Sequence, residues 1–235
     1  MQLLRSSLNK GATRHGAYGT ITGARSFICA ATNKEAASLL QVGYMMEDVV
    51  LFLTLLGLDT CWMAGTFSQT KFRSAAQVAP DEILPIVTEV GKPGLIRNPV
   101  DFLINPTQGI HRLSWEHLFC ADDLQTPLSA DVPGEYSTAL KMVRLAPSAS
   151  NKQLWRAVRR EKAYHFYLLH DPMYADRYPY DVQKVDMRIA KFHFEITALE
   201  SGLCGSWVKQ DPGIEHPPST SEYVISWRAE KTIDA

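Results

Sequence analysis

Between residues 43 and 56 apolar side chains return at helical spacing: Met46, Val49, Val50, Leu53 and Leu56. Leu51, Phe52 and Leu55 fill the opposite side, which predicts a helix apolar nearly all round and so buried at the centre of the fold. Glu47 and Asp48 are then expected in its first turn, where carboxylates suit the helix dipole. Gly57 is expected to end it, because a left-handed C′ residue is cheap without a Cβ. A second long helix is predicted over 185–201, with Ile189, Phe192, Ile196 and Leu199 on one stripe and Gly202 at its end. Strands are predicted near 25–31, 60–64, 85–91, 155–159, 164–169 and 223–227, and shorter helices near 68–76 and 135–145. Residues 113–120 read as a short amphipathic segment, 1–24 as loop or frayed start, and the Pro- and Tyr-rich stretch 170–180 as a loop or lid. Strands mixed with helices, without strict βαβ alternation, point to the α+β class.

The pattern repeats. Gly57-Leu58-x-x-x-Trp62 returns as Gly202-Leu203-x-x-x-Trp207, each copy closing a long apolar helix at a constant offset of 145. A fixed offset with matching flanks is the mark of internal duplication. The Pro-, Ser- and Asp-rich stretch 124–134 is the best connector, with a first half over 1–123 and a second over 135–235.

Composition narrows the function. A chain of 235 residues with 46% hydrophobic and 21% charged residues can bury an ordinary core. Its net charge of −1, with no polybasic stripe, argues against nucleic acid or an anionic membrane as partner. The run 49–58 is too short to span a bilayer, and the first residues lack the apolar core of a signal peptide, so a cytoplasmic protein is expected. Cys29, Cys61, Cys120 and Cys204 share no redox-pair or zinc spacing. Reduced thiols are expected, with Cys61, Cys120 and Cys204 buried in apolar company. His111, Glu116 and His117 match no metal-ligand spacing, and no metal is expected.

The chemistry concentrates in residues 144–156, Arg-Leu-Ala-Pro-Ser-Ala-Ser-Asn-Lys-Gln-Leu-Trp-Arg. Pro147 fixes its own φ and drives Ala146 out of helical geometry, and Ser148, Ser150 and Asn151 can cap, turn or face a ligand. A plain helix-to-strand turn would account for Pro147 and Ser148 but not for the whole ordered string. The run resembles the Ala-Pro-Ser-x-x-Asn-x-Gln-Pro-Trp signature of the flavin-dependent nitroreductase family, with Leu154 where the family has Pro.

That resemblance implies a nitroreductase-like α+β fold, two half-units in one chain forming a pseudo-dimer, FMN as cofactor and NAD(P)H as reductant. In the family the loop after the central helix lies along the isoalloxazine, which carries over to Trp62, Met63, Ala64 and Gly65; Gly65 would permit close approach, while Trp62 is equally well read as core filler. The signature loop contributes from the other half, so Pro147, Ser148, Ser150 and Asn151 are expected to bind cofactor. Lys92 and Arg97 resemble the basic residues that contact its phosphate. The isoalloxazine does the hard chemistry, so no catalytic side chain is expected.

The family's opening arginine-rich helix has no counterpart here. Projecting the offset back places the first copy's signature loop near residues 1–6, which do not match it. One composite site is therefore expected, with its mirror around 205–207 degenerate. The implied activity is reduction of a nitroaromatic, quinone or similar small electrophile by a monomeric pseudo-dimer or weak homo-oligomer. The alternative is a non-catalytic flavin or ligand binder, or a degenerate scaffold, of the same fold.

Overall fold

The computed structural model describes residues 1–5, 25–92, 111–131, 134–174 and 180–230. The chain divides into two compact units, Met1–Ile110 and His111–Ala235.

The first unit holds β1 (Gln2–Arg5), β2 (Ser26–Thr32), α1 (Ala36–Leu55), β3 (Asp59–Met63), α2 (Gln69–Ala75) and β4 (Ile83–Gly91). Its strands form an antiparallel sheet in the order β1-β2-β4-β3. Side chains alternate across the pleat. Phe27, Cys29, Met63 and Val87 therefore point to one side, where they pack with Phe67, Phe72 and Ala76. α1 packs against β2 and β3.

Two expectations about that helix are corrected. It begins at Ala36, so Glu47 and Asp48 lie mid-helix and its first turn holds no acid. The apolar spacing simply continues upstream through Leu39 and Val42, which are buried with Met46 and Val50. Nor is the helix buried all round. One sheet can cover only one side of a helix, and Met45, Phe52, Leu55 and Leu56 are exposed, Leu55 at 85%. Its stretch Ser38–Leu55 is long and apolar enough to cross a membrane by length and composition, which the run 49–58 alone does not suggest.

The second unit holds α3 (Trp115–Leu118), β5 (Phe119–Ala121), a 3-10 turn (Gly134–Tyr136), α4 (Ser137–Leu145), β6 (Trp155–Arg160), β7 (Ala163–Leu169), α5 (Gln183–Glu200), β8 (Gly205–Val208) and β9 (Ser221–Ala229). The sheet order is β5-β6-β7-β9-β8. Residues 111–123, grouped by pattern with the first half, belong to this unit. β5 pairs in parallel with β6, Phe119 opposite Ala157 and Ala121 opposite Arg159, and Leu118 and Phe119 are fully buried. A parallel pairing to a distant strand leaves no trace in local periodicity.

An aromatic core fills one face of this sheet. The Phe194 ring lies 5.4 Å from Tyr164 and from Phe166, 5.7 Å from Trp227 and 5.9 Å from Trp207. Gly205 is required there. A Cβ would sit 2.5 Å from the Trp227 ring and 2.6 Å from the Arg228 carbonyl oxygen.

The two units repeat one plan. β1, β2, α1, β3 and β4, with sheet order β1-β2-β4-β3, match β6, β7, α5, β8 and β9, with order β6-β7-β9-β8. Both long helices end alike: Gly57 at φ +71° and Gly202 at φ +73°. Leu58 N–H donates to Leu53 O at 3.0 Å and Leu203 N–H to Ala198 O at 2.9 Å, the Schellman closure. The cysteines depart from expectation: Cys29 and Cys120 are buried, but Cys61, in edge strand β3, and Cys204, just ahead of edge strand β8, are exposed.

Candidate functional site

The segment 144–156 starts where Pro147 forbids further helix. α4 stops at Leu145, and Ala146 adopts φ −53°, ψ 141°, the extended geometry required ahead of proline. A 3-10 turn over Ala149–Asn151 follows, then β6. Ser150, Asn151 and Gln153 are left-handed, at φ 49°, 54° and 51°. Each such residue costs on the order of 1 kcal/mol without glycine, so the surroundings must hold the loop in place.

They do so with nearly every polar group available. Asn151 Oδ1 accepts from Arg112 Nη1 at 2.9 Å, and its Nδ2 donates to His111 O at 2.6 Å. Gln153, 2% exposed, accepts Leu113 N–H at 2.9 Å and donates to Asn151 O at 3.1 Å. Ser148 Oγ accepts Gln153 N–H at 2.9 Å. Ala149 N–H lies 3.0 and 3.2 Å from the two carboxylate oxygens of buried Asp186 on α5. Tyr174 OH donates to Ser150 Oγ at 2.7 Å, and Lys152 Nζ meets Asp171 at 3.1 Å. Arg144 Nε donates to Leu113 O at 2.7 Å while Arg112 Nη2 donates to Leu145 O at 3.0 Å.

Burial pushes Asp186 up to about 7, against the pull of the Ala149 hydrogen bond. Burial, and then Arg144, push Arg112 down. The side chains of Ser148 and Asn151 are thus spent on shaping the loop. The backbone N–H groups of Ser148 and Ser150 have no partner among the described residues.

In the first unit, Trp62 is half-buried in β3 opposite Thr88, its Nε1 without a partner among the described residues. Met63 is 1% exposed and belongs to the core, so only its backbone can face a ligand. Ala64 is half-buried and Gly65 exposed. β3 is the edge of its sheet, and an edge strand leaves alternate backbone N–H and C=O groups unpaired. On β4, Glu89 stands opposite Cys61, and burial pushes its carboxyl up to about 7. Lys92 is exposed just beyond β4, while Arg97 lies outside the described residues. Pattern reading of the sequence passes over Arg112, Asp186 and Glu89; only Arg144, inside the signature string, carried a signal.

His170, Asp181 and Glu222 bring candidate metal-ligand atoms within 4.8 Å of one another. They already form a closed polar network: His170 Nε2 and Lys184 Nζ lie 2.8 and 2.9 Å from Glu222.

These observations define an α+β protein of two topologically equivalent units, with a braced polar loop entering the sheet of the second. Residues 1–198 match the family described as "Putative TM nitroreductase", and the chain belongs to that family. Membership supports a general oxidoreductase role. The fold is similar to that of a structure described as a "putative nitroreductase" from Thermotoga maritima, at 23% identity and a TM-score of 0.57, covering 86% of this chain and 70% of that one. A nitroreductase family protein from Clostridium novyi NT aligns over 30% of this chain and 44% of its own, at 27% identity and a TM-score of 0.27. No curated protein matches the chain.

Proposed function

We propose that the chain is an FMN-dependent NAD(P)H oxidoreductase of nitroreductase type, its two units forming a pseudo-dimer. The observation that carries this reading is the braced loop 147–151. Its side chains fix a strained backbone and leave the amides of Ser148 and Ser150 as donors, the kind of group that suits a flavin ring edge. Pro147 stiffens the entry, and Asn151 acts through its bonds to Arg112 and His111 rather than by direct contact.

In the first unit, the backbone of Trp62, Met63, Ala64 and Gly65 at the sheet edge offers donors of the same kind, with Gly65 permitting close approach. Lys92 and Arg97 would neutralise the phosphate. When bound, the flavin supplies the hydride-accepting centre, and a nitroaromatic, quinone or similar small electrophile would be reduced in the same pocket. The chain's own task is to bind and orient.

The test is spectroscopic. Purified protein incubated with excess FMN and freed of unbound dye is expected to keep flavin absorption, which NADH or NADPH then bleaches. A protein that cannot be loaded overturns the cofactor assignment. Flavin retained but reduced by neither nicotinamide overturns the oxidoreductase and leaves a binding protein.

A further inference from the structure

The face of the second sheet opposite the aromatic core carries polar side chains that the flavin reading does not use. Along it stand Arg160 at the end of β6, Ala163 and His165 on β7, and Ser226 and Arg228 on β9, tied in register as Arg160 to Ala163, His165 to Ser226 and Ala163 to Arg228. Arg160, Ala163, His165 and Arg228, with Lys162 and residues 210–212, line a cavity of about 520 Å³, within the size range of small-molecule sites.

We propose that this cavity binds a small oxyanion, a phosphate or carboxylate group carried on a compact molecule, as a second site independent of the flavin reading.

Three cationic side chains, Arg160, Lys162 and Arg228, face two carboxylates, Glu161 and Asp211, around the cavity. Asp211 already accepts Gly213 N–H at 2.9 Å. Each guanidinium has five N–H donors in a fork matched to oxyanions. Arg160 uses one on Pro212 O at 3.3 Å and Arg228 one on Gln210 Oε1 at 2.6 Å. Their other donors have no partner among the described residues.

The wall behind them is prebuilt. His165 Nδ1 lies 2.6 Å from buried Ser226 Oγ, which lies 2.7 Å from Tyr223 OH. Tyr223 OH in turn accepts Gln210 N–H at 3.1 Å and fixes the loop. The buried hydroxyl of Tyr167, within electrostatic range of Asp211 and Arg160, has no hydrogen-bond partner among the described residues. Burial, then Arg160 and Arg228, hold His165 below its ordinary value, against the opposing pull of Asp211 and Glu161. An anion seated between the two arginines would offset them and raise it.

The experiment follows the His165 imidazole by NMR while full-length protein is titrated with sodium phosphate, with sodium succinate, and with sodium chloride at matched ionic strength. A saturable shift with phosphate or succinate, and an upward move of the His165 titration, are expected. Arg160→Gln and Arg228→Gln should each weaken binding about ten-fold, the loss of one charge-assisted contact. Lys162→Gln, at an exposed position, gives a smaller loss and guards against misfolding of the arginine variants. Stronger binding of phosphate would assign a phosphorylated ligand, and stronger binding of succinate a dicarboxylate. A response no different from chloride, or one that survives both Arg160→Gln and Lys162→Gln, overturns the site.

Discussion

Asp186 sits where burial and hydrogen bonding oppose each other. Its carboxylate holds the Ala149 amide at the turn of the signature loop, yet burial pushes it up to about 7 from an ordinary 3.8. A folded value above the unfolded one means that its contribution to stability is full below about pH 4 and lost as pH rises through about 7. Asp186→Asn keeps an oxygen for Ala149 N–H and removes the charge. That variant is expected to abolish this part of the pH slope and to exceed the parent at pH 8 by on the order of 4 kcal/mol. Asp186→Leu, which strands the amide, should instead fall below Asp186→Asn by roughly 1–3 kcal/mol. Urea unfolding of the three proteins at pH 4.5 and pH 8 decides it; parallel pH slopes in parent and Asn variant would refute the charge argument. At this scale the sequence is half legible. Pro147, Ser148 and Asn151 announce the loop because turn chemistry is local. Asp186 carries no local signal, because its partner lies far away in the chain.

Helix ends were the most readable elements, and the reason is again locality. Gly57 and Gly202 are each the left-handed residue of a Schellman closure, with open space where a Cβ would stand. Replacing either by alanine therefore meets no clash and costs only the left-handed conformation, about 1–2 kcal/mol. Because the closures match bond for bond, Gly57→Ala and Gly202→Ala should cost the same within a few tenths of a kcal/mol. Thermal unfolding of the two variants measures this, and a cost confined to one of them would mean that the caps are not equivalent. The start of α1 was less readable. Residues 36–42 continue the same apolar spacing, but the acidic pair Glu47-Asp48 imitates a helix beginning. Exposure of Phe52 and Leu55 escaped the pattern as well, since periodicity shows which residues are apolar and not how many faces a sheet can cover.

At the scale of the whole chain, the duplicated motif forecast the shared topology but not where the second unit begins. The Pro-rich stretch 124–134 looks like a boundary, yet the residues before it close the second unit's core and brace its loop. Leu118 and Phe119 are fully buried, and β5 covers the edge of β6. His111 O and Leu113 N–H hold the Asn151 and Gln153 side chains, and Leu113 O receives Arg144 Nε. A chain cut before residue 124 therefore loses two large core side chains and three anchors of a strained loop together. Truncation of one buried large apolar residue alone costs about 2–5 kcal/mol, comparable with the whole stability of a domain this size. The fragment 111–235 is accordingly expected to unfold cooperatively with near-native aromatic circular dichroism, and 124–235 to lack both. Cooperative unfolding of 124–235 would show that the signature loop holds its left-handed residues without residues 111–123, and would remove the bracing from which the proposed cofactor loop is argued.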